Sequence, residues 1–416
     1  MPLTPANLVM EQPLAGQPEA AQARTRVPEL DVLRGFLLVW MTCTHLPTRF
    51  SSYSNQTFGY VSAAEGFIFL AAFLTGQVQQ YATIRYGEDV ALRRLFRRAL
   101  RIYRYHAALL ATAFTAAAAV AVSLDRTALR NLLDFYLASP KLALPAAAAL
   151  VYAPPLFDIL PIYILFTLAT PALLWIARKR GWSLVLACSG AVWLLAQCNF
   201  RQWLYATAMA HGFPVPMHEA GAFDLFAWQF LWTIGLALGT HSFGRSFSGR
   251  QVPRCWLWVS GFCAASFFVT RHSGLDVTLV HSGYGFLVDK WKLGALRLVD
   301  LAALGLLLGS CGPLLKRWKW AVPLAPLGRC SLEVFSAHVL CCIAALALSH
   351  DADPHFTWWQ DVLILAAAIA ILFWVAHYAD RRRRPRLLCP DPTPRDLQPA
   401  GIRTVPSPRT ESVARW

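Results

Sequence analysis

Long apolar runs, each closed by a short polar or basic stretch, repeat along most of this chain. Ten of them are long enough to span or nearly span a bilayer, near 29–46, 61–82, 102–123, 156–177, 182–198, 224–241, 254–271, 296–315, 327–348 and 360–379. A spanning helix needs about 17–25 predominantly apolar residues. None of the runs keeps a period-2 alternation, which argues against a β-barrel. The pattern predicts an all-α, polytopic integral membrane protein of about ten transmembrane helices. Three parts follow: a polar tail over 1–28, a helical membrane domain over 29–379, and a Pro- and Arg-rich tail over 380–416. The first tail lacks the apolar core of a cleavable signal peptide, and both tails read as disordered. No internal repeat is evident.

Composition agrees with this reading. The chain has 416 residues, 56 % hydrophobic and only 15 % charged, where a soluble domain averages about 25 % charged. Its mean hydropathy is +0.42. The 16 Trp and 12 Tyr suit interfacial aromatic belts. The net charge of +15 would suit a nucleic-acid partner if it lay on one face. It does not. With Arg34 set aside and charges at run ends assigned to the adjoining gap, 28 Lys and Arg fall in alternate gaps starting from the N-terminal tail, and 9 in the others. Cytoplasmic loops retain Lys and Arg, so both termini are expected in the cytoplasm. The bias accounts for the charge without nucleic acid. The ten cysteines lie mostly inside apolar runs, with no C-x-x-C and no Cys/His spacing for zinc, so free thiols and no metal are expected.

The candidate chemistry lies in the ionisable residues that interrupt the apolar runs. The first run, "LDVLRGFLLVWMTCTHLP", carries Arg34 near its cytoplasmic end and His45 near its outer end. Eleven residues of helix come close to three whole turns and about 16 Å of rise. The two side chains therefore share one stripe, with Asp31 almost on it. Arg34 alone could be snorkelling and His45 alone a helix-end residue. Together they mark a candidate site, because intramembrane charges are usually functional. Glu65 begins the second run at a depth comparable to His45, and a carboxylate beside a histidine fixes its tautomer. In "RRLFRRALRIYRYH", Arg93, Arg97 and Arg101 share one helical face and Arg94 and Arg98 another. They suit phosphates or serve only as a topology signal, with His106 a turn deeper. On the outer side, Asp158 opens the fourth run, and Asp224, Trp228 and Gln229 open the sixth. Carboxylates beside rings suit a sugar or an aromatic belt. Glu333 and His338 in "LGRCSLEVFSAHVL" are buried polar groups in need of partners.

These segments, taken in order with "FGYVSAAEGFIFLAAF", "FDILPIYILF", "FDLFAWQFLWTIGLALG" and "DKWKLGALR", resemble the OpgC family from about Glu29 to about Leu348. That family contains integral-membrane succinyltransferases of osmoregulated periplasmic glucans, and is similar to the wider membrane acyltransferase-three superfamily. Arg34 and His45 match the superfamily's Arg/Lys, ten residues, His signature. The resemblance implies a bacterial inner-membrane enzyme. It would use acyl-CoA, with succinyl-CoA one candidate, as co-substrate. It would hold no permanently bound cofactor and take a periplasmic or envelope glycan as acceptor. It implies His45 as catalytic base with Glu65 at the acidic position. It implies donor binding by Arg34, Arg97, Arg98, Arg101 and His106. Asp158, Asp224 and Trp228 are the expected acceptor contacts. The chain departs from the family pattern at Ala71-Ala72, at "HLPTRF" and at Asp300, where an uncharged residue or His is expected. A rival reading is a transporter or flippase for a glycan or acyl donor, using the same charges as a relay. Such proteins often carry matched broken helices in two halves, and no such symmetry is seen.

Overall fold

The computed structural model describes residues 28–243, 253–275, 281–311 and 319–388. The first tail falls almost wholly outside them, as does most of the second. Every regular element among the described residues is helical. The main helices are α1 (Pro28–His45), α2 (Ala63–Tyr86), α3 (Glu88–Ser123), α4 (Ile159–Arg180), α5 (Trp182–Gln197) and α6 (Phe200–Ala210). They are followed by α7 (Leu225–Ser242), α8 (Arg254–His272), α9 (Ala295–Ser310), α10 (Ala325–Arg329), α11 (Ser331–Leu346) and α12 (Trp358–Leu388). Three short helices fill 127–148 between α3 and α4.

Among the described residues three helices, α3, α4 and α12, are long and apolar enough to cross a membrane. The number is five if the bent pairs α5–α6 and α10–α11 each count as one span. The α5–α6 pair bends by 68° and the α10–α11 pair by 90°. The two expected runs over 182–198 and 327–348 thus coincide with breaks. Asn199, at φ +63°, turns the first. α12 presents Leu363, Ile371 and Trp374 outward, as a lipid-facing helix would. The nine cysteines among the described residues are free thiols.

Two boundaries differ from the expectation, each for a local reason. The arginine-rich stretch, read as helical faces ahead of the 102–123 run, is continuous with that run as the first half of α3, joined to α2 through Gly87 alone. Its φ of +83° is a conformation that only glycine adopts without strain. α12 continues past residue 379 because its basic end is anchored. Asp380 pairs with Arg329 at 2.8 Å, and Arg383 pairs with Glu333 at 2.6 Å.

The centre of the bundle is the α2–α7 pair, with α1 and α3 on α2, and α4 and α5 on α7. α1 also packs on α10 and α11, which α12 covers from the other side. Without a hydrophobic force between helices in lipid, close approach needs small residues. α7 supplies Gly235-x-x-x-Gly239 against Phe69, Ala72 and Phe73 of α2. A Cβ at Gly239 would lie 2.0 Å from the Phe73 carbonyl oxygen. Ala72 belongs to this contact, and both it and Ala71 are fully buried. The same device joins α1 to α10, where a Cβ on Gly328 would meet the Asp31 carbonyl oxygen at 1.9 Å. Polar side chains tie the outer layer. Ser189 of α5 donates to Gln229 Oε1 at 2.6 Å, and Gln229 Nε2 donates back to the Ser189 carbonyl at 2.8 Å.

Candidate functional site

Two polar centres lie along the seam where α1 meets α11. The first is a cavity of about 480 Å³. Arg34 of α1 and Arg94, Arg97, Arg98 and Arg101 of α3 line it. Arg329 of α10 and Arg383 of α12 complete the basic wall, with Phe67, Tyr163 and Phe335 as apolar lining. No carboxylate lines it among the described residues. α3 brings its arginines to one place because residues three and four apart on a helix are neighbours. Arg34 joins them through the α1 stripe.

The arginines are held to different degrees. Arg98 donates to Thr75 Oγ1 at 2.7 Å and to the Tyr163 hydroxyl. Arg34 donates through Nη2 to Ser331 Oγ, while its buried Nε has no partner among the described residues. Arg329 makes a forked pair with Asp380 at 3.0 and 2.8 Å. Arg383 donates to Glu333 and to the Arg329 carbonyl, each at 2.6 Å. Arg97 and Arg101 form no hydrogen bond or ion pair among the described residues, and both are exposed. Ser331 and Leu332, at the first turn of α11, also face the cavity, so the helix adds its positive end to the arginines.

The second centre is a pair of imidazoles. His45 Nδ1 and His338 Nε2 are 3.1 Å apart, one donating and the other accepting. His338 is 1 % exposed and its other nitrogen faces Cys342 Sγ at 3.6 Å. His45, the last residue of α1, keeps an exposed face. Phe335 links the two centres: it lines the cavity, its ring lies 5.7 Å from His338, and it stacks on Phe67 at 6.4 Å.

Glu65 does not hold His45. Its carboxylate accepts from the Ser62 backbone N–H at 3.0 Å and from the Ser62 hydroxyl, which makes it a helix-capping residue. It also accepts from Arg297 Nε at 2.8 Å and from Arg297 Nη2. Both members of this ion pair are 0 % exposed. His338 takes the position beside His45 that the sequence assigned to Glu65. Asp300, one turn beyond Arg297, accepts from the Tyr60 and Val61 backbone N–H groups at 2.7 and 3.2 Å. That gives the unexpected aspartate a reason. Together Glu65, Arg297 and Asp300 fasten the segment entering α2 onto α9.

Of the other expected residues, Glu333 turns to Arg383 while His338 turns to His45, so these two do not meet. Asp31 packs where α1 meets α10. His106 is buried, does not line the cavity, and has no hydrogen-bond partner on either ring nitrogen among the described residues. Asp158 Oδ2 accepts from the Ala222 N–H at 3.3 Å, and the residue is half-buried. Asp224 caps α7, accepting from the Phe226 and Ala227 N–H groups. Trp228 is fully buried, with its indole N–H on the Trp291 carbonyl at 3.0 Å. Neither Asp224 nor Trp228 presents a face to a sugar, because both are used inside the fold.

Sequence reasoning missed Arg297, Arg329, Arg383, Tyr163 and Lys290. Lys290 lies in the segment before α9, where its charge acts on Glu65, Arg297, Asp158 and His45 without a direct bond to any of them among the described residues. Burial pushes its ammonium below the ordinary lysine value, and the two carboxylates pull it part of the way back. The signal for Arg297 was a cation and a carboxylate, Asp300, inside one apolar run. Such groups need buried partners.

Residues 26–384 match the family model described as OpgC protein. No curated protein and no solved structure matches the chain.

Proposed function

The chain belongs to the OpgC family, and from that premise we propose that it is a membrane O-acyltransferase. In this reading it moves an acyl group, with succinyl the leading candidate, from cytoplasmic acyl-CoA to a hydroxyl of a periplasmic or envelope glycan. The family supports a membrane protein with a transferase role. The donor, the acceptor, the bacterial inner membrane, the ten spans and the cytoplasmic termini belong to the proposal.

One observation carries it. Seven arginines converge on a single cavity, and the same two helices that border it, α1 and α11, carry the His45–His338 pair. Guanidinium groups match phosphate oxygens in charge and geometry. The unpaired Arg97 and Arg101 and the free Arg34 Nε suit the phosphates of a CoA donor. Tyr163, Phe67 and Phe335 supply apolar wall for its organic parts.

The chemistry assigned to the second centre is general-base catalysis. A sugar hydroxyl is a poor nucleophile near neutral pH. With His338 bonded to Nδ1, the His45 ring has Nε2 left to take the hydroxyl proton. The sugar oxygen then forms a bond to the thioester carbonyl carbon and the C–S bond breaks. The departing thiolate recovers the proton from the imidazolium. Such proton transfer contributes about 10²–10⁴ in rate. Glu65 and Arg297 act at a distance in this scheme, by holding α2 in place.

The test is His45→Gln in purified protein given acyl-CoA and a glucan acceptor. Gln keeps a hydrogen-bonding side chain but accepts no proton at neutral pH. Acylated product should fall below detection while the protein still inserts and stays monodisperse. Substantial turnover by His45→Gln would remove His45 as the base.

A further inference from the structure

The segment leading into α9 is fastened more heavily than its length requires. The Asp289 carboxylate accepts from the Trp291 N–H at 2.7 Å and the Lys292 N–H at 3.2 Å. Three successive carbonyls are then each held by a side chain from another helix. Trp291 O accepts from the Trp228 indole at 3.0 Å and from the Asp224 backbone N–H at 3.0 Å. Lys292 O accepts from Gln197 Nε2 at 2.7 Å, and Leu293 O from the Trp193 indole at 3.0 Å. Leu293 is forced to φ +50° and is fully buried. A branched residue in the left-handed region persists only where its surroundings over-determine it, and such places cluster at binding sites.

This scaffold carries an exposed Trp291 and a half-buried Lys290 beside it. The Trp291 indole is 44 % exposed, although its backbone is locked on every side. The Lys290 ammonium stands 4.9 Å from its ring centroid. The half-buried Asp158 accepts from the Ala222 N–H at 3.3 Å, next to Phe223, whose ring lies edge-on to the Trp291 ring at 5.4 Å, and the charge of Lys290 acts on both Asp158 and His45. A rigid exposed indole, a cation and a carboxylate therefore lie together, and the cation's charge reaches His45. An indole set in an apolar belt gains nothing from a fixed backbone, because lipid imposes no orientation on its ring. A ring that must meet a rigid polar ligand in one orientation does.

We propose that Trp291 is the acceptor platform of this protein. The C–H face of a sugar ring stacks on the indole, while Lys290 and Asp158 bond to its hydroxyls and turn one of them toward His45. The proposal rests on the acyltransferase reading and extends it to the glycan-binding residue. Trp228 and Asp224 serve the acceptor only through the Trp291 backbone.

The experiment uses the full-length protein in detergent with acyl-CoA and a soluble glucan oligosaccharide. Trp291→Ala keeps every backbone bond described above, so it should fold normally. It should raise KM for the oligosaccharide at least about tenfold and leave KM for acyl-CoA unchanged. Trp291→Phe retains a stacking ring and should recover most of the loss. Oligosaccharide binding measured by calorimetry in a His45→Gln background should weaken in parallel when Trp291→Ala is added. An unchanged acceptor KM in Trp291→Ala, with His45→Gln inactive, overturns the platform and leaves the acyltransferase reading standing. A loss confined to membrane insertion or thermal stability assigns Trp291 to the interface and also overturns it. Wild-type protein inert toward every sugar tested, with acyl-CoA bound, removes the underlying reading itself.

Discussion

Replacing Arg297 with methionine should destabilise the protein far more than replacing both members of its ion pair. The reasoning starts from burial. Arg297 and Glu65 are each 0 % exposed, and Arg297 Nε reaches Glu65 Oε1 at 2.8 Å. At that separation and an effective dielectric of about 20, the attraction is about 6 kcal/mol. Desolvation costs several kcal/mol for each ion, so the intact pair contributes little net stability. Arg297→Met removes the attraction and leaves the desolvated carboxylate behind, at about 3–5 kcal/mol. Glu65→Gln strands the guanidinium at a comparable cost. The double variant Glu65→Gln/Arg297→Met strands neither. Its new amide oxygen at position 65 can still accept from the Ser62 N–H, so the cap of α2 survives.

The measurement is apparent Tm in detergent, with acyl transfer assayed on the same samples. Each single variant should lose on the order of 5–10 °C, and the double should return to within a few degrees of the parent. The double variant should also regain most activity, because Glu65 touches neither His45 nor the cavity. If it is as stable as the parent yet inactive, Glu65 acts in the chemistry and its assignment as a framework residue is wrong. If the double is no more stable than either single, the two charges are not coupled and the pairing argument fails.

Arg97→Gln and Arg101→Gln should each weaken acyl-CoA binding about tenfold without lowering Tm, since neither guanidinium has an internal partner; unchanged affinity by titration would leave the arginines as a topology signal only. Glu333→Gln should tighten donor binding several-fold, because it frees Arg383 from its resident carboxylate at 2.6 Å; weaker or equal binding would exclude Arg383 from the donor site. Gly239→Ala should abolish accumulation of monodisperse protein, its Cβ falling 2.0 Å from a carbonyl oxygen. Gly190→Ala is the control, with nothing nearer than a Phe230 ring atom at 3.6 Å, and should accumulate normally.

What the sequence made legible was whatever a single helix settles by itself. Arg34 and His45 could be placed on one stripe because eleven residues of one helix fix their relation, and the α3 arginines for the same reason. Opposing helices were not legible. His45 meets a residue 293 positions away and Glu65 one 232 positions away, and periodicity says which face is polar, not what lies across from it. Glu65 was paired with His45 from their similar depth. The nearer signal was Ser62-x-x-Glu65, a capping box that commits the carboxylate to the start of α2. The company of aromatics and acids that points to a sugar contact at Trp228 equally describes a ring buried under a loop. The break at Cys330 lies inside the apolar run 327–348, so hydropathy alone passed through it, whereas the turn at Asn199 falls just past the end of the run 182–198.

The two polar centres are joined by a seam that is itself apolar. Leu38 and Met41 lie on α1 between Arg34 and His45, and Phe335 lies on α11 between Ser331 and His338; all three are buried. A continuous polar channel there would let ions and water through, while a plug of this kind keeps the centres insulated. In the acyltransferase reading, an acyl chain entering from the cavity would meet Phe335 first, since that ring borders both the cavity and His338. Displacing a packed ring is costly unless something apolar takes its volume. In the same reading the methylene part of the donor's thioester arm would take that volume, whereas a hydrated ion or a free phosphate could not. In that reading the arginines hold the anionic end of the donor, and the seam admits its thioester arm.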